Sequence, residues 1–247
     1  MKLLPTALAI LAQSVLLLIA SPPAFPEVAS DRAALLEVAF VGEGQAAAGL
    51  KQALTTGTVN AVNLIGKPNG YLQNAAIKIL LPQKLRPLET GLRAVGYGPQ
   101  IDQFVVSMNR AAEAAAPKAE PIFEKAITGM TFSDAQSIVS GRGHPATDYF
   151  KNKTSSALTV AFTPIVKKTM AQYAVTKQYD DLVGKYQSGP LMGGMLGSVT
   201  KGFDLDSYVV QKSLDGLFYV VGQEEQKIRT NPAAQVTPLL RQVFGGL

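Results

Sequence analysis

Apolar positions along the chain recur mostly at spacings of three and four, the signature of a helix turning one face to a core. Leu50, Leu54, Val62 and Ile65 share such a stripe and predict a helix from Gln45 to Ile65. The run Gly66-Lys67-Pro68-Asn69-Gly70 ends it with strong turn chemistry. Ile77, Ile79 and Leu81 then alternate with Lys78 and Leu80, a period of two that predicts a brief strand. Pro82 closes that strand and opens a helix whose Leu85, Leu88, Leu92 and Val95 lie on one face. From Gln100 to Met130 the stripe Ile101, Phe104, Val105, Met108, Ala112, Ala115, Ala119 narrows from large to small side chains. Such a taper predicts close helix–helix approach at the alanines. Pro117 and Pro121 are expected to bend or divide this region.

Thr131 reads as the cap of a short helix that Gly141 ends. From Pro145 a long helix carries Phe150, Leu158, Phe162, Ile165 and Val166, with a kink expected at Pro164. A short helix is expected over Thr176 to Tyr186, followed by an apolar but glycine-rich loop over 189–203. Asp204 or Asp206 caps a helix that is apolar nearly all the way round, SYVVQKSLDGLFYVV, residues 207 to 221. Asn231-Pro232 restarts a last helix through Leu239, Leu240 and Val243. The sum is an all-α, single-domain bundle of about eight helices, with at most one short strand, occupying residues 45–247.

The chain's start changes the picture. Lys2 precedes an apolar run to Ala20, and small residues follow, so residues 1–20 read as a signal peptide, with cleavage as late as 24. An uncleaved anchor is the rival reading; Gln13, Pro5 and the Ser-Pro-Pro exit favour cleavage. Residues 21–44 then form a flexible or loosely docked leader. The expected location is periplasmic or secreted.

Cysteine is absent from the 247 residues and His144 is the single histidine. Disulfides, thiolate nucleophiles and Cys- or His-cluster metal sites are thereby excluded, and no cofactor is expected. Net charge is +5, or +4 once Lys2 leaves with the signal. In an envelope compartment that charge favours a peripheral contact with an anionic membrane surface over nucleic acid; the basic residues are scattered, and a mixed-charge solvated surface is the plainer reading.

Five places carry candidate chemistry. In SGRGHPATDYF, His144 stands near Arg142 and Asp148, either as a general base or anion site, or as a polar loop residue at a helix start. Asn109, Arg110 and Glu113 lie opposite the apolar stripe, as an exposed pair or as a network under a second layer. Lys212 and Asp215 are three apart in the otherwise apolar helix, roughly 60° apart around it. Burial would make them an architectural ion pair; a desolvated lysine is alternatively a nucleophile. Leu191, Met192, Met195 and Leu196 in the glycine-rich loop offer an adaptable apolar contact for a ligand or partner. Glu224, Glu225, Lys227 and Arg229 read as a solvated helix end, with Arg229 alternatively anchoring the last helix or, beside Asn231, binding an anion at its N-terminus. Phosphate loops, nucleophile elbows, zinc motifs and EF-hands are missing.

The strings GKPNGYLQN (66–74), SMNRAAEAAAPKA (107–119), QKSLDGLF (211–218) and EEQKIRTNPAA (224–234) resemble the bacterial family known as domain of unknown function 4197. The resemblance covers Gly49 to Phe244 and implies an export signal and a helical body. That family has no established catalytic residues to carry over. Gln235, in place of an expected arginine, and the glycine–methionine loop depart from its pattern. The expected function is that of a non-enzymatic envelope protein binding a lipid-like or small ligand or a protein partner. The alternative is an enzyme of unrecognised class using Lys212 and Asp215 with nearby polar residues.

Overall fold

The computed structural model of the chain describes residues 47–172 and 204–230. Helix α1 covers residues 47–65. A 3-10 turn at Gln83–Leu85 leads into α2 (Arg86–Ala94), followed by α3 (Gly98–Ala115). A second 3-10 turn, Ala116–Ala119, joins α3 to α4 (Glu120–Thr128). Then come α5 (Phe132–Ser140), α6 (Pro145–Gln172) and α7 (Leu205–Thr230). The expectation of about eight helices is corrected for the described residues: six delimited α-helices stand beside the run at 47–65. The helices expected at 176–186 and after Asn231, the glycine-rich loop, the signal peptide and the leader lie outside the described residues.

The fold is all-α, and among the described residues the expected strand does not form. Its alternation is real: Ile77 and Ile79 are buried while Lys78 and Leu80 are exposed. The partner is a side chain instead of a second strand. Asn109 of α3 accepts from the Ile79 N–H and donates to the Ile79 carbonyl, both at 2.8 Å. Its carboxamide thus imitates one peptide unit of a neighbouring strand, satisfying groups that burial would otherwise leave costly. The Tyr208 hydroxyl, from the first turn of α7, donates to the Leu80 carbonyl at 2.8 Å.

Helix α6 lies along both α3 and α7, and these three make the centre of the bundle. Phe150, Thr154, Leu158, Phe162, Val166 and Met170 keep a spacing of four, so one ridge of α6 is buried along its length. That helix runs through Pro164. The alanine taper of α3 behaves as expected: Ala111, Ala112, Ala115, Ala116 and Ala119 have no exposed surface. Pro117 falls in the 3-10 turn that divides α3 from α4. Phe123 meets Phe150 edge-on, ring centres 5.0 Å apart, and Phe218 at 6.4 Å. A satellite cluster of Leu88, Leu92 and Ile101 joins α2 to α3. Val95, expected on that face, is 67% exposed because α2 ends at Ala94.

Caps place the helix ends. Thr131 Oγ1 accepts from the Asp134 N–H, and Asp134 accepts from the Thr131 N–H, a complete capping box at α5. Asp204 accepts from the Ser207 N–H at 3.0 Å and so caps α7.

Candidate functional site

Polar residues of the recognisable strings meet in two buried networks. The first joins α3 to the turn after α1. Asn69 sits at φ 70°, in the left-handed region that asparagine tolerates better than most residues. A Cβ on Gly70 would come within 2.4 Å of the Ile65 carbonyl oxygen, so the chain can double back only with glycine there. The turn aims the Tyr71 and Leu72 N–H groups at α3, where Glu113 Oε1 accepts both at 3.1 and 3.2 Å. Arg110 donates to Glu113 Oε2 at 2.6 Å and to Asn69 Oδ1 at 2.9 Å. Asn109 and Glu113 are buried, and Arg110 closes the network from the outside. Of the two readings of this triad, the buried network is the one that forms; its cover is the 66–79 segment, not a second helix layer.

The same segment is locked to α7. Tyr71 is fully buried and its hydroxyl donates to the Ser213 carbonyl at 2.6 Å. Burial, reinforced by Glu113 and Asp215, pushes that phenol far above its ordinary value, so it stays a neutral donor. Its ring lies on Gly216, where a Cβ would meet Tyr71 Cε1 at 2.5 Å.

Lys212 and Asp215 do pair, at 2.8 Å, but their side chains are 44% and 49% exposed. The expectation of a buried architectural pair is corrected. Helix α7 buries almost its whole circumference yet leaves a narrow stripe at Gln211, Lys212, Asp215 and Tyr219 in contact with water. The Asp215 hydrogen bond raises the Lys212 ammonium above the usual lysine value, against a smaller opposing effect of desolvation. A lysine held protonated is a poor nucleophile.

The second network was hidden in a string that reads as a solvated helix end. Glu225 of α7 is buried and accepts from the Ala146 N–H at 3.0 Å and the Thr147 N–H at 2.9 Å. It also accepts from Thr147 Oγ1 at 2.7 Å and Arg229 Nε at 3.1 Å. A carboxylate from one helix therefore caps the first turn of another, where orphan N–H groups and the dipole favour negative charge. Arg229 then donates to the Ile138 carbonyl in the last turn of α5 at 2.7 Å, tying three helices together. It thereby anchors α5 to α7; the last helix it was expected to anchor, and Asn231, lie outside the described residues. The available signal was the spacing of four between Glu225 and Arg229, which places them on one face.

Between the first four turns of α6 and the middle of α7 lies a cleft of about 640 Å³. Leu214 and Phe218 give it an apolar floor. Asp148, Lys151, Ser155 and Thr159 border it from α6, and Gln211, Asp215 and Tyr219 from α7. Arg142, Gly143 and His144 close one end. This cleft gathers the His144 group and Asp215. No hydrogen bond joins the His144 imidazole to Asp148; the Asp148 carboxylate approaches Lys151 instead, at 3.9 Å. Among the described residues no cluster of acids and histidine suited to a metal ion occurs, and no helix is long and apolar enough to cross a membrane. Leu191, Met192, Met195 and Leu196 lie outside the described residues, as does any contact they make.

The family model described as Protein of unknown function (DUF4197) matches residues 41–245. No curated protein and no solved structure matches the chain.

Proposed function

We propose, for a chain that belongs to the DUF4197 family, a non-enzymatic binding role in the cell envelope. In this reading the protein is exported on its N-terminal signal. There it holds a small or lipid-like ligand in the α6–α7 cleft, with an envelope protein or an anionic membrane surface as its setting. The observation that carries the reading is the division of labour among the polar residues. Asn109, Glu113 and Glu225 spend their hydrogen bonds on backbone groups and neighbouring helices, which is what a scaffold requires. Arg142, His144 and Tyr219 line a cleft whose size lies within the range of small-ligand sites. The enzymatic alternative built on Lys212 loses support from the raised, protonated state of that amine.

Native mass spectrometry of the mature protein, isolated gently from the periplasm, tests this. The expected result is an added mass of small-molecule size that is lost from a Ser155→Trp variant of unchanged melting temperature. Ser155 is only half-buried at the cleft wall, so the indole fills the cleft and not the core. A bare protein, or an added mass indifferent to the substitution, overturns the reading.

A further inference from the structure

We propose that the α6–α7 cleft takes an acidic saccharide: a hydroxyl-rich ring ligand carrying a carboxylate. The inference rests on the binding role above and names its ligand class. The wholly apolar side chains of the lining are Leu214 and Phe218, which form its floor. The walls present hydrogen-bonding side chains from both helices, which would leave an acyl chain facing unpaired polar groups. Sugars make the opposite demand, several hydroxyls needing donors and acceptors at close spacing beside an aromatic face. Tyr219 provides that face: it is 48% exposed at the cleft, and its phenol has no partner among the described residues. Gln211 and Asp215, linked at 3.0 Å, stand two turns and one turn of α7 before it. A planar amide and a carboxylate side by side suit neighbouring hydroxyls, since one donates and the other accepts.

Charge selects an acid over a neutral sugar. The lining holds two cations, Arg142 and Lys151, and two carboxylates, Asp148 and Asp215. Asp215 is matched by Lys212 and Asp148 by Lys151. Arg142 is left without a carboxylate among the described residues, on the turn whose next residue, Gly143, takes φ 78°. Its fork fits a carboxylate in two parallel hydrogen bonds. The helix N-terminus beside it is not the anion site, because Glu225 already occupies the Ala146 and Thr147 N–H groups.

Calorimetric titration of the mature protein tests the assignment with two probes. They are the disaccharide of N-acetylglucosamine and N-acetylmuramic acid, which bears a carboxylate, and diacetylchitobiose, which does not. The acidic disaccharide is expected to bind, with chitobiose weaker by roughly tenfold, as suits one charge-assisted contact. Arg142→Ala should remove that difference and Tyr219→Ala should weaken both sugars several-fold, each without moving the melting temperature. Equal affinity for the two sugars, or binding indifferent to both substitutions, overturns the assignment. If neither sugar binds while dihexanoyl phosphatidylglycerol does, and Ser155→Trp abolishes it, the saccharide class fails and the binding role stands. If nothing binds and no ligand co-purifies, both fail.

Discussion

At the scale of the residue, charge alone does not mark importance; what decides is whether a charged group is spent on backbone. Glu113 and Lys212 look alike in the sequence, each three residues from an opposite charge. Glu113 accepts from the Tyr71 and Leu72 N–H groups, so Glu113→Ala leaves those donors unpaired and Arg110 with Asn69 alone, and should cost roughly 3 kcal/mol. Glu113→Gln keeps an acceptor and should recover much of that loss. Lys212→Ala removes one end of an exposed pair and should change stability by less than about 0.5 kcal/mol. Urea denaturation of the three variants checks the contrast, and equal losses at both positions would sink it. Gly216→Ala is a sharper case. Alanine favours a helix over glycine by about 1 kcal/mol, yet here its Cβ would press on the Tyr71 ring at 2.5 Å. Overpacking of about 1–3 kcal/mol should win, so a more stable Gly216→Ala protein would mean that the ring moves freely.

Elements were legible wherever one helix face met the core. The stripe of α3, its division near Pro117 and the Thr131 cap all follow from local spacing and hold in the structure. The segment 77–81 was legible only in part, because its period of two is satisfied by a carboxamide thirty residues away. Helix α7 misled for a related reason. A helix buried on nearly all sides still has one stripe facing out, and composition cannot say which of its charges lie there. Buried Glu225 was missed since its partners are backbone N–H groups of another helix, which no spacing in the sequence displays. The caps give an element-scale prediction. Thr131 holds the Asp134 carboxyl, and Ser207 the Asp204 carboxyl, below the usual aspartate value. A pKa depressed by folding contributes stability that is complete above the unfolded aspartate value, about 3.9. It is lost as pH falls through the folded values. Thr131→Ala should therefore lower the urea midpoint at neutral pH by more than it does near pH 2. Asp206, raised by desolvation, shifts the opposite way, but it is common to variant and parent and cancels in their difference. A deficit that stays constant down to pH 2 would exclude this account of the cap.

At the scale of the molecule, α7 joins the two networks. Its Ser213 and Gly216 receive Tyr71, while Glu225 and Arg229 hold α5 and α6. Twelve residues of helix separate Ser213 from Glu225, about 18 Å at the α-helical rise. Two anchors that far apart, sharing no side chain, should act independently on stability unless α7 itself shifts between positions. Tyr71→Phe removes the hydrogen bond to the Ser213 carbonyl while keeping the ring. Thr147→Val removes the hydroxyl that Glu225 accepts while keeping the shape. Each should cost about 1 kcal/mol, and the double variant should show their sum to within about 0.5 kcal/mol. Such additivity, with an unchanged denaturant slope, would mean that α7 is a rigid post. The cleft along it would then be preformed, and ligand affinity should not respond to Tyr71→Phe. A coupling well above that margin would mean that the two ends of α7 move together. In that case a ligand seated between them at Asp215 and Tyr219 would be felt at both networks, and binding should raise the stability of the double variant less than that of the parent.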